Sequence, residues 1–199
     1  KFNLKNAFFS ILILITIPLV IALFVDNNYN VENEILIQQP KAIDLIMSSH
    51  FESGKFSKWA NINPNTKKSY SGTDRTVGFV SAWKSDHPEV GKGEQEIIKI
   101  TEGQRIDFEF RFFEPFAGVY SGYMITEAVS ATQTKVRWGF DGSMDYPFNL
   151  MLLTSSFQNT MKKDFGIGLK NLKEQLELLQ INTNSMDKAL QTMIDNMPE

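Results

Sequence analysis

Few residues in this chain have the types and spacing that chemistry needs. Histidine occurs twice, at His50 and His87, and the pair lacks the i, i+4 spacing by which one helix face holds a metal ion. Cysteine is absent, which excludes disulfides, thiolate nucleophiles, cysteine-ligated metals and an acylated lipoprotein cysteine. His87 precedes Pro88 in a turn-like run and reads as solvated. His50, in "SSHFESG", belongs to a loop that can reach a cavity mouth, although an exposed loop histidine fits the same pattern. Gly91 and Gly93 in "EVGKG" resemble a phosphate loop only superficially: no GK[ST] follows, and no helix. They are expected to permit a bulge or tight bend where a strand begins. No Ser-His-Asp arrangement can be assembled. No catalytic residue, metal or cofactor is therefore expected, and an enzyme is the weakest functional reading.

The distinctive chemistry is apolar. In "RIDFEFRFFEPF", Ile106, Phe108, Phe110 and Phe112 alternate with Asp107, Glu109 and Arg111. Strand side chains alternate between faces, so one face is greasy and the other charged. Glu114 and Asp141 cannot be placed by parity, since turns and bulges break it. Neighbouring runs offer matching faces: Phe79 with Trp83, Tyr120 with Met124, and Val136 with Trp138 and Phe140. Phe157, Met161 and Phe165, on a helical pattern, supply an opposing wall. Such a set either fills an ordinary core or lines a cavity for a hydrophobic molecule; Met and aromatic rings suit both. The core explanation accounts for most of these residues, with a ligand meeting only the open end.

The elements that must position them can be read from periodicity. Val31–Ile37 reads as a first strand. Pro40 then opens a short helical segment with Ile43, Ile46 and Met47, and a second short helical piece runs through "FESGKFSKW". Strands are expected over Lys67–Ser71, Val77–Trp83, Glu94–Ile100, Arg105–Phe113, Val119–Val129 and Lys135–Ser143, separated by turns and no helix. That order predicts an antiparallel meander. From Pro147 to Gln180, apolar residues step by three and four, predicting one long amphipathic helix. Gly166 and Gly168 inside it point to close packing or a bend. Residues 182–199 are expected to be a tail or a short peripheral helix.

Ahead of the domain, Ala7–Val25 is an uncharged run of apolar residues. As a helix it extends about 28 Å, close to the thickness of a hydrocarbon core. It exceeds a signal-peptide core and lacks an A-x-A site, so a retained anchor is favoured over a cleaved signal. Lys1 and Lys5 precede it while Asp26, Glu32 and Glu34 follow, placing residues 1–6 in the cytoplasm and the domain outside, on the periplasmic face. Residues 26–30 are a short linker, and 31–181 form the folded domain. The formal charge of −3 gives no basic surface for nucleic acid.

In its order of elements and in "FSKWANINPNTKKSYSGTDRTVGFVSAWKSDHPEVGKGEQEII", "FEPFAG", "TKVRW" and "DFGIGLKNLKEQLE", the chain resembles the SRPBCC (START-like, helix-grip) superfamily, in its polyketide cyclase/dehydrase-like branch. The resemblance covers Val31 to Gln180, and members of this branch often carry an N-terminal membrane span. It implies an α+β helix-grip fold, a curved antiparallel sheet of about seven strands around a long C-terminal helix, behind a transmembrane helix. It also implies a cavity of the kind relatives use for lipids, sterols or polyketides. The cavity-lining candidates are then Phe79, Trp83, Phe108, Phe110, Phe112, Tyr120, Met124, Trp138, Phe140, Phe157, Met161 and Phe165. Phe51, Phe56 and Trp59 are candidates for a gate beside the membrane.

Three functions follow as expectations. The first is a membrane-anchored extracytoplasmic module binding a hydrophobic small molecule or lipid. The second is an accessory subunit of a membrane complex that uses the domain as a docking surface. The third is a cyclase- or dehydratase-like enzyme.

Overall fold

The computed structural model describes residues 4–39 and 56–195. The helical segment expected after Pro40, with Ile43, Ile46 and Met47, lies outside the described residues, as do His50 and Phe51. Helix α1, Leu4–Ala22, is apolar all round, and it is long and apolar enough to cross a membrane. It starts and stops three residues earlier than its hydropathy suggests. Its large side chains, Phe8, Phe9 and Leu14 among them, project free of the domain.

Strand β1, Asn28–Ile37, begins almost at once, so most of the expected linker is strand. After α2, Lys58–Ile62, come β2 (Lys67–Ser71), β3 (Val80–Lys84), β4 (Lys92–Thr101), β5 (Arg105–Glu114), β6 (Gly118–Ser130) and β7 (Gln133–Ser143). They form one antiparallel seven-stranded sheet in the order β1-β7-β6-β5-β4-β3-β2. Every expected strand is present. The largest changes are of three residues: β1 starts that much early, and β3 that much late because Gly78, at positive φ, and Phe79 belong to the preceding turn. Gly91 shows why a glycine opens β4: its φ is +58°, and a Cβ there would lie 2.0 Å from the Glu114 carbonyl oxygen. A register shift follows between Lys92 and Gly93, the expected bulge.

The long helix is built differently from its sequence pattern. Residues Phe148–Leu153 form a 3₁₀ segment, and the α-helix proper, α3, runs from Ser156 to Asp195 without a break. The apolar stepping was continuous through the 3₁₀ stretch, so periodicity could not mark the boundary. Among the described residues the helix continues past Gln180 to Asp195. Forty residues at 1.5 Å each make a rod of about 60 Å.

Only its first half grips. Phe165, Leu169, Leu172 and Leu176 are buried against the sheet. Polar ties hold α3 alongside β1: Asn33 donates to the Lys162 carbonyl at 2.9 Å, the Gln38 amide to Glu177 at 3.1 Å, and Gln39 to the Leu176 carbonyl. The Lys58–Asp164 ion pair, 2.8 Å, and the Asn171 bond to the Phe56 carbonyl, 3.1 Å, draw α2 against α3. The core is the concave face of the sheet under this half-helix: Val31, Ile37, Ile97, Ile106, Phe108, Met124 and Val136 meet the helix leucines. Burying each such side chain contributes about 1.5–3 kcal/mol.

Candidate functional site

The alternation of β5 sorts its side chains as expected. Ile106 and Phe108 are buried on the concave face, whereas Arg111 crosses the convex face to Glu94, Glu96 and Glu109. These three carboxylates hold the Arg111 guanidinium well above its ordinary pKa, so it stays charged. The convex side also carries a second network. Tyr123 donates to Glu32 at 2.7 Å, Asn30 donates to Asp141 at 2.8 Å, and Arg105 sits 4.4 Å above the Tyr123 ring while pairing with Asp107. Burial, then the bond to Glu32, raises the Tyr123 phenol. The Arg105 guanidinium is likewise raised, chiefly by its hydrogen bond to Asp107. Asp141, unplaced by parity, therefore belongs to the convex side, and so do Asp107, Glu109 and Arg111.

On the concave face the aromatic residues divide into two groups. Beneath α3, Trp138 and Phe165 stack at 4.5 Å and 11°, with Phe56 and Trp59 edge-on to them. Gly168 makes this possible, since a Cβ there would meet the Trp138 ring at 2.6 Å. Phe56 is buried in this group and Trp59 partly so; both act here as packed rings that close the space between sheet and helix. Phe108 and Met124 are likewise core, and Phe79 is buried and stacked with Tyr70 at 6.1 Å.

The second group lies towards the end of the sheet where α1 enters. Phe110, Phe112, Tyr120 and Phe140 lie 5.6–6.2 Å apart in a chain of ring contacts. Trp83 meets Phe112 at 5.7 Å on one side, and Tyr29, held between Phe140 and Phe157, closes the other. Met161 packs at its border. Apart from Phe140, these residues are half-buried. Glycine again provides the room: Phe110 lies over Gly122, Trp83 over Gly93 and Tyr29 over Gly142, positions where a Cβ would come within 2.6 Å of the ring.

Here the sheet opens. The pairing of β6 with β7 ends at Ser121–Asp141, while β1 stays paired to β7 as far as Asn28–Ser143. The strands part around an open notch of about 510 Å³, lined by Asn28, Tyr29, Asn30, Val119, Tyr120, Ser121, Asp141, Gly142 and Ser143. The lining joins both faces of the sheet: Tyr29, Tyr120 and Gly142 have the parity of the concave side, and Asn28, Asn30, Ser121, Asp141 and Ser143 bring amides, hydroxyls and a carboxylate from the convex side. Burial, and secondarily the neighbouring Tyr120, pushes the Tyr29 phenol up to about 12, so its hydroxyl is uncharged at neutral pH. Aromatic rings beside polar groups suit an amphiphilic or aromatic molecule, apolar part inward.

Most of the notch was not among the expected cavity residues. Tyr29 fell in the expected linker, although it shares the parity of Val31 and that signal was available. Asn30, Asp141, Ser121 and Ser143 are ordinary polar residues in sequence, brought together by strand register, in which Asn30 on β1 and Ser121 on β6 both stand opposite Asp141 on β7. His87 is in the β3–β4 turn, where its Nδ1 accepts from the Glu89 amide at 3.3 Å, away from this notch. Among the described residues no group of three or more His, Asp or Glu gathers as metal ligands would.

A curved antiparallel sheet holding a C-terminal helix is also the architecture of several solved proteins. A Thermus thermophilus protein superposes with a TM-score of 0.55 at 17% identity, over 76% of this chain and 99% of that one. Norcoclaurine synthase from Thalictrum flavum gives 0.54 at 7% identity, over 76% and 95%. The Aha1 dimer from Colwellia psychrerythraea gives 0.51 at 18%, over 75% and 96%. The domain has the helix-grip fold. At such identities the likeness is one of fold alone. No protein-family description matches the chain, and no curated protein is similar to it in sequence.

Proposed function

We propose that this is a membrane-anchored helix-grip module that binds a hydrophobic small molecule or lipid at the notch between β6 and β7. The observation that carries this reading is the pair of half-buried rings, Tyr29 and Tyr120, beside the amide, hydroxyl and carboxylate groups of the notch, at the end of the sheet where α1 enters. A ligand with an apolar body and a polar head satisfies both parts, and leaves no charged group in contact with the rings. Norcoclaurine synthase, solved in complex with dopamine and hydroxybenzaldehyde, supports the reading by analogy of fold. On this reading α1 is a retained single-pass anchor. Its flanking charges put the N-terminus in the cytoplasm and the domain on the periplasmic side.

Extraction and mass spectrometry of the detergent-purified full chain should find one class of apolar molecule at near-stoichiometric amounts. Tyr120→Ala should lose it and Thr132→Ala, at the opposite end of the sheet, should keep it. Equal loading of the two variants sinks the assignment of the site.

A second reading has its own observation. Beyond Glu177, helix α3 projects for about 27 Å, with Leu179, Met186, Leu190 and Met193 exposed at spacings of seven, four and three. This stripe suits a partner helix, as a subunit of a membrane complex would use. Co-purification of a stoichiometric partner in mild detergent, lost on truncation at Glu177, distinguishes this reading. For the enzyme reading, the groups available at the notch are the Tyr29 and Tyr120 hydroxyls and Asp141.

A further inference from the structure

The two ends of the sheet carry different turns. At the end away from α1, β4 joins β5 through Glu102, Gly103 and Gln104, and β6 joins β7 through Ala131 and Thr132. At the α1 end, the β5–β6 turn presents Phe116, 82% exposed, and the 3₁₀ segment presents Phe148, 67% exposed, with Met151 and Leu153 also exposed. Phe24, just past α1, is 85% exposed. Large apolar residues scattered singly need no explanation, but a set gathered at one end of a domain does.

Their position relative to α1 is fixed by a buried amide. Asn149, only 1% exposed, donates through Nδ2 to the carbonyls of Ala22 at 2.8 Å and Val25 at 3.1 Å, and lies 2.9 Å from Asn27 Oδ1. The Ala22 carbonyl closes α1 and also accepts from the Val25 amide at 3.4 Å, and the Val25 carbonyl lies in the turn just past the helix. The Met144 amide adds a bond to the Asn27 carbonyl at 2.8 Å. The 3₁₀ segment is thus stapled to the end of α1, and Phe148 and Met151 flank the staple. Phe116 is carried by the β5–β6 hairpin, two to three strands across from β1, or about 10–15 Å.

We infer that the α1 end of the domain, through Phe24, Phe116, Phe148, Met151 and Leu153, is seated in the acyl–headgroup boundary of the bilayer. The occupant is lipid because the rim is continuous with the end of α1. If α1 spans the membrane, the Asn149 staple holds Phe148 at the depth where the helix leaves the hydrocarbon. Aromatic and aliphatic side chains are favoured at that depth. The notch opens at the same end, so its mouth stands at the lipid surface. This inference rests on the reading of α1 as a span and is independent of whether the notch holds a ligand.

The absence of native cysteine makes a direct test possible. Single variants of the full chain, Leu14→Cys, Phe116→Cys, Phe148→Cys and Thr132→Cys, are spin-labelled and reconstituted in vesicles of phosphatidylcholine and phosphatidylglycerol. Relaxation by oxygen, which concentrates in hydrocarbon, is compared with relaxation by a water-soluble nickel chelate. Labels at 116 and 148 should show an oxygen-to-nickel ratio at least roughly threefold above that at 132, approaching the ratio at 14. Ratios at 116 and 148 equal to that at 132, with a high ratio at 14, overturn the seating while leaving the anchor intact. A low ratio at 14 overturns both. Spin–spin broadening at 116 or 148 that vanishes on dilution with unlabelled protein assigns the rim to a second copy instead, and also overturns the inference. A double Phe116→Ser, Phe148→Ser variant gives an independent readout. After proteolytic release of α1 from the unsubstituted chain, the domain should still sediment partly with these vesicles, and after release from the double variant it should not.

Discussion

The two aromatic groups on the concave face are made of the same residue types and do different things. Under α3, Trp138 and Phe165 stack face to face, 8% and 3% exposed, and Phe56 and Trp59 fill the remaining sides. Towards the α1 end, Phe110, Phe112, Tyr120 and Tyr29 touch one another yet stay half-buried. The cause is the placement of α3, which runs along β1 and touches β7 and leaves β5 and β6 to one side. Rings under the helix have neighbours on every side and form core. Rings beyond its edge have no such cover among the described residues, and can meet a ligand. The same phenylalanine strand serves both groups along its length: Phe108 is core, whereas Phe112 is half-buried against Tyr120.

The contrast can be broken most severely at Trp138. Trp138→Ala should destabilise the domain by about 3–5 kcal/mol, because the cavity it leaves is walled on all sides and cannot collapse. Chemical denaturation checks this, and a loss near 1 kcal/mol would place Trp138 in a looser environment than the structure shows.

Next in size is the glycine beneath that ring. Gly168→Ala drives a methyl to 2.6 Å from the Trp138 ring, which is held in place by Phe165, and should cost about 1–3 kcal/mol despite the better helix propensity. Gly166→Ala meets only the tip of Asn33 at 2.9 Å. There the propensity gain of about 1 kcal/mol offsets the strained Asn33–Lys162 bond, and stability should change little. Thermal midpoints of the two variants, side by side, test whether close packing is confined to Gly168.

At the open group the order of effects reverses. Phe112→Ala removes a half-buried ring and should cost about 1–2 kcal/mol of stability. Ligand loading should fall roughly tenfold, because the Tyr120 ring that lines the notch loses the ring packed against it at 5.8 Å. A variant as unstable as Trp138→Ala with unaltered loading would merge the two groups into one core.

The smallest effect is electrostatic. The Tyr29 phenol, raised by burial from 10.0 to about 12, favours the neutral form in the folded state. Above about pH 10 the unfolded chain ionises this group first. The contribution of Tyr29 is therefore complete below pH 10 and is lost as pH rises through about 12. Tyr29→Phe should flatten the decline of stability over that window without abolishing it, since Tyr123 is shifted in the same direction. An unchanged slope in the Tyr29→Phe variant would place this hydroxyl in water.

Strand parity, the turn residues and the stepping of Phe165, Leu169, Leu172 and Leu176 were legible from local order alone, because each depends on a period of two or about 3.6 within one segment. The start of α3 was not, since Leu150 and Leu153 continue the stepping through a 3₁₀ segment that the same period describes poorly. The continuation past Gln180 was missed for the opposite reason: Asn182, Thr183 and Asn184 are weak helix formers, and the helix runs through them.

Local order by itself determined the meander, the apolar segment ahead of it, the face each β5 side chain takes and the absence of thiol chemistry. Those properties belong to single segments. Which phenylalanines are core and which line an opening was decided by where α3 lies across the sheet. The notch was decided by β6 leaving β7 at Ser121 while β1 continues to Asn28. The apolar rim was decided by Asn149 meeting the end of α1 from 127 residues away in the chain. Each of these joins residues far apart in sequence, and no period within a segment encodes such a meeting.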